Sequence, residues 1–289
     1  MVDKVIATCQ EAIRDIPSGA TIMVGGLGGA GTPYSLVDAL TAQGPRQLTI
    51  IGNCFSEYYP LTDAGLAQKV ITCAPADNDD AHYTFVEDDA LGEQIDSGEV
   101  ELEGVPQGTF VERVRAGGVG LGPFYSPIGV GTRLSDGKEK KIFQGKEYIL
   151  EQPLIADFAL IKAYKGDSKG NLVYRKTARN INPIMAMAGR TTIAEVEEIV
   201  EVGSLDPEEI VTPHIFVNRI VLAQKQARSP YFKRMSGIVA AAWEARKSGA
   251  VEGQRPESII CQRVAKELKK GWYVNLGHGI PTRVGGYLD

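Results

Sequence analysis

The 289-residue sequence lacks the features that mark several specialised classes of protein. Its four cysteines (Cys9, Cys54, Cys73 and Cys261) form no C-x-x-C pair, so we expect reduced thiols and no metal site. Lys and Arg form no basic stripe and the formal net charge is −5, which gives little electrostatic support for nucleic acid or a membrane as partner. No apolar run is long enough to span a bilayer and the N-terminus has no signal-peptide core, so we expect a cytoplasmic protein.

What the sequence has instead is a regular alternation of short apolar runs and helical patterns. Continuous apolar runs at 21–24 and 48–51 predict strands buried on both faces, and 70–73 is a weaker third example. Helical spacing predicts helices over 4–16 and from Pro33 to Leu40. This alternation predicts an α/β fold with three α/β/α layers around a mainly parallel sheet.

The middle of the chain, 100–145, is rich in Gly and Pro, and its glycines suggest backbone packed closely against a strand or a ligand. The alternation returns with strands predicted at 158–161 and 192–196, while the acidic stretch from Glu195 to Glu201 is interpreted as a solvated face. We take residues 1–228 as one domain and 229–256 as a helical connector.

The end of the chain repeats its beginning. Cys9-Gln10 and Gly19 are matched by Cys261-Gln262 and Gly271 at the same spacing, and each glycine precedes an apolar strand, a Gly-x-Gly turn and a proline. Residues 257–289 are therefore expected to be the first helix and strand of a second, similar domain that is cut off. So small a piece must pack on the first domain or on another chain.

Gly26-Leu-Gly28-Gly-Ala-Gly31 matches the dinucleotide-binding pattern between a strand and a helix. The second strand should then end in an acidic residue, but Asn53 stands there, so an NAD-dependent dehydrogenase is the weaker hypothesis. A sugar-phosphate-binding or isomerase-like module, with backbone N–H groups facing an anion at the helix N-terminus, also stays open.

The longer string from Ser18 to Pro33, Ser-Gly-Ala-Thr-Ile-Met-Val-Gly-Gly-Leu-Gly-Gly-Ala-Gly-Thr-Pro, resembles the first signature of family I CoA-transferases. Ser18 stands for the usual Asp or Asn, and Leu27 for the usual Phe. Further segments resemble the α part of succinyl-CoA:3-ketoacid (3-oxoacid) CoA-transferases: 105–109, 112–118, 124–127, 170–180 and 193–200. The tail, 264–281, resembles the start of the β part.

The resemblance implies the fold that CoA-transferases share with sugar-phosphate isomerases, and a covalent relay. A Glu carboxylate attacks the acyl-CoA, CoA thiolate then forms an enzyme thioester, and the acceptor acid reverses the steps. In the family this Glu lies in a Ser-Glu-Asn-Gly turn of the β part. Here Ser56-Glu57 is followed by Tyr58, so the nucleophilic Glu is expected outside this chain.

The resemblance also suggests candidate site residues. Gln107 would donate its amide to the oxyanion, although a loop Gln bonded to neighbouring backbone is the plain alternative. Asn53 follows a predicted strand, where it contacts ligand or merely tolerates a left-handed turn, and Asn275 is a polar residue in an apolar strand. His278 is interpreted as structural. The loop glycines Gly25, Gly26, Gly28 and Gly31 complete the substrate- and CoA-binding set.

The implied activity is transfer of CoA between succinyl-CoA or acetyl-CoA and a 3-oxoacid such as acetoacetate. Coenzyme A is then a substrate, and no cofactor is expected. The implied partners are a complementary β-type domain or subunit, short-chain carboxylic acids and acyl-CoA, within an oligomer. The sequence leaves the acid pair open, and the chain alone is expected to be inactive.

Overall fold

A computed structural model describes residues 3–73, 90–224, 256–269, 271–272, 274 and 284–287. The chain divides into two compact units. The larger holds the described residues up to 224, and the smaller holds those from Pro256 onward. The predicted connector, 229–256, lies almost entirely outside the described residues.

The larger unit is built on one mainly parallel sheet. Its first half contains β1 (Thr21–Val24), β2 (Leu48–Gly52), β3 (Ala67–Thr72) and β4 (Glu101–Gly104). Its second half contains β8 (Ala156–Asp167), β10 (Gly189–Val200) and β11 (Arg219–Leu222), with the short β9 (Leu172–Val173) antiparallel to β8. The order β11-β10-β8-β1-β2-β3-β4 reverses its direction between β1 and β8, which is where open α/β sheets bind ligands.

Helices cover both faces of this sheet, so the three predicted layers are confirmed. On one face lie α1 (Cys9–Ile13), α2 (Tyr34–Gln43), α3 (Phe55–Asp63) and α4 (Ala90–Asp96). On the other lie α5 (Gln107–Val119) and α6 (Asn182–Ala188). Burial on both faces of the sheet explains the apolar run of β1. Ile22 and Val24 enter the core on the face of α1–α4, Met23 enters the core on the face of α5 and α6, and all three are fully buried.

The first helix is much shorter than the predicted 4–16. It begins after Thr8, whose side chain accepts a hydrogen bond from Glu11 N and caps the helix. Upstream, Ile6 N donates to Ile220 O at 2.8 Å and Val5 forms a parallel bridge with Ile220. Pairing with a distant strand therefore wins over the local helical pattern.

Within the glycine-rich middle, 107–119 is a helix of 13 residues that the sequence pattern did not predict. Its glycines serve helix packing: a Cβ on Gly117 would lie 2.0 Å from Leu154 O, and one on Gly118 would lie 2.8 Å from Met187 Cβ of α6. Beyond it, β5 (Phe124–Ser126), β6 (Lys140–Phe143) and β7 (Lys146–Glu151) form a separate antiparallel sheet in the order β5-β7-β6.

The smaller unit contains α7 (Pro256–Glu267), which agrees with the helix predicted around Cys261-Gln262. The predicted strand that follows, with Asn275 and His278, lies mostly outside the described residues. None of the helices in the described part of the chain is long and apolar enough to cross a membrane.

Candidate functional site

Three of the predicted site segments lie at the same edge of the main sheet. The glycine-rich loop Gly25–Gly31 leaves the carboxyl end of β1, Asn53 follows β2, and Gln107 follows β4 at the start of α5. Because these strands are parallel, their carboxyl ends meet at one edge. The loop leaves the sheet where the strand order reverses.

The glycine-rich loop is a tight hairpin that binds itself and its neighbours. Leu27 and Ala30 exchange backbone hydrogen bonds of 3.0 and 3.1 Å, and Gly25 N donates to Leu160 O at 2.9 Å. Gly29 N donates to Glu57 Oε1 at 3.4 Å. Much of the loop's backbone N–H capacity is therefore used inside the chain.

Three of the loop glycines, Gly25, Gly26 and Gly31, are required by close contacts, and a Cβ on Gly26, at φ +129°, would lie 2.4 Å from Thr32 Oγ1. A Cβ on Gly25 would lie 2.0 Å from Asn182 Oδ1, and one on Gly31, at φ +71°, would lie 2.4 Å from Ala178 O. By contrast, a Cβ on Gly28 would meet nothing within 4 Å among the described neighbours. The glycines on the sheet side thus allow another segment of this chain to approach.

That approaching segment contains two asparagines that the sequence alone did not single out. Asn180 Nδ2 donates to Ala30 O at 2.8 Å, and Asn182 Nδ2 donates to Gly31 O at 3.1 Å. Asn182 Oδ1 also accepts from Lys162 N of β8 at 3.0 Å. Together they fasten the loop to β8. The only sequence signal was their place within or just after the family-like stretch 170–180.

The N-terminus of α2, where an anion was expected, is already occupied by a carboxylate of this chain. Glu195 Oε2 accepts from Ser35 N at 2.9 Å and Leu36 N at 3.2 Å, while Oε1 pairs with Lys162 Nζ at 3.0 Å. Glu195 is 1% exposed. The interpretation of Glu195 as part of a solvated face was therefore wrong. The N-terminus of α2 is not available to bind a phosphate, as the sugar-phosphate hypothesis required.

Glu57 is also a buried structural acid. Its Oε2 accepts from Cys54 N and completes a capping box at the start of α3, while its Oε1 holds Gly29 of the loop. The carboxylate is fully buried.

Asn53 lies fully buried between two thiols at the ends of β2 and β3. Cys73 Sγ donates to Asn53 Oδ1 at 2.9 Å, and Asn53 Nδ2 lies 3.4 Å from Cys54 Sγ. Burial raises the pKa of Cys73 to about 12 and that of Cys54 to about 11, with Glu57 acting in the same direction. Both thiols therefore stay protonated at neutral pH, and Cys73 remains a donor. Asn53 does not have a positive φ, so it does not serve a left-handed turn.

Gln107 is the first residue of α5 rather than part of a loop. Its side chain is exposed, and no described residue hydrogen-bonds to its carboxamide. The preceding N-cap residue is Pro106, which has no side-chain oxygen to accept from the first turn. Two residues later, Thr109 Oγ1 is buried without a hydrogen-bond partner among the described residues. The N-terminus of α5 is thus open where that of α2 is filled.

The position of α5 is fixed by a buried guanidinium. Arg113, 7% exposed, donates through Nη1 to Glu103 Oε1 of β4 and through Nε to Gln152 O, each at 2.7 Å. Gln107 therefore projects from a helix that is fastened to the sheet edge. Within the described residues, no group of three or more His, Cys, Asp and Glu side chains could hold a metal ion.

A family model described as coenzyme A transferase matches residues 6–223, which include all of these features. The chain belongs to this family. Neither the NAD-binding nor the sugar-phosphate hypothesis is favoured.

Relatives of this chain are found among separate subunits of enzymes and among longer proteins. It is 48% identical to one subunit of the 3-oxoadipate CoA-transferase of Pseudomonas putida, over 81% of this chain and 99% of that protein. It is 45% identical to one subunit of a probable succinyl-CoA:3-ketoacid coenzyme A transferase of Bacillus subtilis, over 78% and 92%. It is 37% identical to the human mitochondrial succinyl-CoA:3-ketoacid coenzyme A transferase 2, over 96% of this chain but only 55% of the human protein.

Solved structures confirm the fold. An acyl-CoA transferase of Escherichia coli O157:H7 superimposes with a TM-score of 0.71 at 21% identity, over 98% of this chain and 58% of that chain. Glutaconate coenzyme A-transferase of Acidaminococcus fermentans gives 0.64 at 20% identity, over 76% and 75%.

Proposed function

We propose that this protein supplies the α part of a CoA-transferase that moves CoA between succinyl-CoA or acetyl-CoA and a 3-oxoacid. The names of its relatives give 3-oxoadipate and 3-ketoacids, and acetoacetate is the 3-ketoacid that we propose as acceptor. The attacking Glu is on a complementary β-type part, either a separate subunit or a continuation of the chain. The proposed reaction is ping-pong through a glutamyl-CoA thioester.

The observation that carries this proposal is the open N-terminus of α5. Each step of the relay forms an oxyanion, which preorganised N–H donors stabilise best where water is excluded. The carboxamide of Gln107 is exposed, bonds to none of the described residues, and stands beside the first turn of α5, which has no side-chain cap among them. Both kinds of donor favour negative charge at this place.

A need for a complementary part is supported by two features. Glu57 is buried and engaged at the start of α3, so it is not placed to attack a thioester. The relatives matched over nearly their whole length are named as single subunits of their enzymes. The site is therefore proposed to be complete only when a second part brings its carboxylate to the edge that carries Gln107 and Asn53.

The test is to co-purify this chain with a β-type subunit that carries a Ser-Glu-Asn-Gly turn and to measure CoA transfer from succinyl-CoA to acetoacetate and to 3-oxoadipate. We expect activity from the pair and none from the chain alone. Gln107→Ala should then lower kcat by roughly 10²-fold or more with little change in stability, as for the loss of one oxyanion donor.

Gln68→Ala is the matched control, because Gln68 is an exposed residue of β3 away from the carboxyl ends of the strands. Equal turnover in Gln107→Ala and Gln68→Ala would remove Gln107 from the site. Turnover by the chain alone would overturn the need for a partner. An inactive pair that reduces NAD instead would end the transferase proposal.

A further inference from the structure

The turn Lys176–Arg179 lies directly against the glycine-rich loop. Asn180, which follows it, donates to Ala30 O at 2.8 Å, and Ala178 O would be 2.4 Å from a Cβ on Gly31. This places the 176–179 turn at the carboxyl edge of the sheet, beside β1 and β8, where the strand order reverses. The turn therefore borders the candidate site on the side of the glycine-rich loop.

The backbone of this turn is held in uncommon conformations at both ends. Lys176 has φ +52°, and Asn180 has φ +22° and ψ −122°. Such a conformation is unfavourable for a residue other than glycine and persists only where its surroundings enforce it, most often near ligands. At the Asn180 end, the side chain of Asn180 enforces this conformation, since its Nδ2 donates to both Ala30 O and Thr177 O.

Around the turn, three cations are paired with carboxylates of the described residues, whereas Lys176 and Arg179 are not. The glutamates of β10 compensate three neighbouring cations, each through one ion pair. The pairs are Lys162 with Glu195 (3.0 Å), Lys165 with Glu198 (3.0 Å) and Arg175 with Glu197 (3.3 Å). Lys176 and Arg179 are exposed, and neither forms an ion pair with any carboxylate of the described residues. Within the described part of the chain, this side of the candidate site therefore carries two positive charges that no carboxylate pairs with.

Resting on the proposed function, we propose that Lys176 and Arg179 form a subsite for the distal carboxylate of dicarboxylic substrates. Succinate and 3-oxoadipate keep one carboxylate when the other becomes the thioester, whereas acetate and acetoacetate keep none. That second charge is costly to remove from water unless cations receive it. The subsite thus sets a preference for dicarboxylic over monocarboxylic acids.

The test uses the chain co-purified with its β-type subunit, comparing Lys176→Gln/Arg179→Gln with the wild type. The kcat/KM ratio of succinate to acetate, and of 3-oxoadipate to acetoacetate, should fall by roughly 10- to 150-fold, the range for lost hydrogen bonds to a charged group. The change should appear mainly in KM for the dicarboxylic acid, because binding of the distal group is uniform along the reaction. Arg175→Gln is the control, since Arg175 already pairs with Glu197 and lies 4.3 Å from the Tyr164 ring centroid. It should leave both ratios unchanged.

Two outcomes would overturn the subsite. One is a loss that is equal for mono- and dicarboxylic acids. The other is a loss that disappears when CoA lacking its 3′-phosphate is used, which would assign the two cations to the nucleotide end of CoA. Isothermal titration of the same proteins with succinate and acetate keeps the test separate from catalysis. If the wild-type pair transfers no CoA, the proposed function fails. A succinate affinity that is unchanged in the double variant still refutes the subsite.

Discussion

Replacing Glu195 tests whether the filled N-terminus of α2 holds the fold together. Its carboxylate joins three elements, because it sits on β10, accepts from two amides of α2 and pairs with Lys162 of β8. Glu195→Ala leaves the partly buried Lys162 ammonium without a counter-charge and two buried N–H groups without an acceptor. Breaking such a pair from one side typically costs about 3–5 kcal/mol of unfolding free energy.

Guanidinium unfolding followed by circular dichroism measures this cost, and the strand itself supplies a control. Glu198 lies three residues along β10 and pairs with Lys165, but its side chain is 50% exposed. Glu198→Ala should therefore cost at most about 1 kcal/mol. Adding Lys162→Met to Glu195→Ala should recover part of the loss, because the uncompensated charge is then gone.

Equal losses in Glu195→Ala and Glu198→Ala would refute the reasoning, since they would mean that burial and helix capping add nothing. Equal protection of the wild type and of Glu195→Ala by millimolar phosphate would contradict it as well, because a filled N-terminus should accept an outside anion only after the carboxylate is removed. In that case the α2 N-terminus would be accessible to outside anions.

Two further predictions concern the loop and the thiols. Gly31→Ala should destabilise the larger unit by more than about 2 kcal/mol, because it combines a positive φ with a 2.4 Å contact to Ala178 O. Gly28→Ala, with a positive φ but open space, should cost only about 1 kcal/mol, and similar melting temperatures for the two variants would contradict the packing role. Burial raises the pKa of Cys54 to about 11 and of Cys73 to about 12 in the folded chain, whereas an unfolded thiol ionises near pH 9. The contribution of each thiol to the free energy of unfolding is therefore complete below about pH 9 and falls above it by about 1.4 kcal/mol per pH unit. Unfolding midpoints measured at pH 8, 9 and 10 should therefore fall less with rising pH in a Cys54→Ala/Cys73→Ala variant than in the wild type.

Local signals predicted the centre of the sheet well and its periphery less well. The runs of β1 and β2 are apolar at every position because both faces are covered, and that is visible without knowing what covers them. The helical pattern over 4–16 failed because Ile6 pairs with Ile220, a contact that no local window contains. Helix α5 was missed because glycines normally disfavour helices, whereas Gly117 and Gly118 are needed for contacts with Leu154 and Met187.

In the candidate site too, local patterns located some residues correctly and missed those whose partners are distant in the sequence. The rule that parallel strands present ligand-contacting groups at their carboxyl ends placed Asn53 and the glycine loop at one edge. Glu195 was misplaced because its sequence neighbours are exposed acids, while its hydrogen-bond partner Ser35 is 160 residues away. Asn180 likewise contacts Ala30 across 150 residues. Partners this distant appear only once the sheet is assembled.

The two helix N-termini at this edge together favour one location for negative charge. A glycine-rich turn before α2 matched an anion-binding pattern, but Glu195 already satisfies that helix, and the glycines serve close packing. Among the residues that the structure describes, no side chain caps the start of α5 and none bonds to the amide of Gln107 there. An oxyanion that forms for a moment needs donors left unsatisfied in the resting protein, because donors that are already bonded cannot respond to it. Gln107, which the family resemblance marks as the oxyanion donor, is therefore also the edge residue whose surroundings suit that chemistry best.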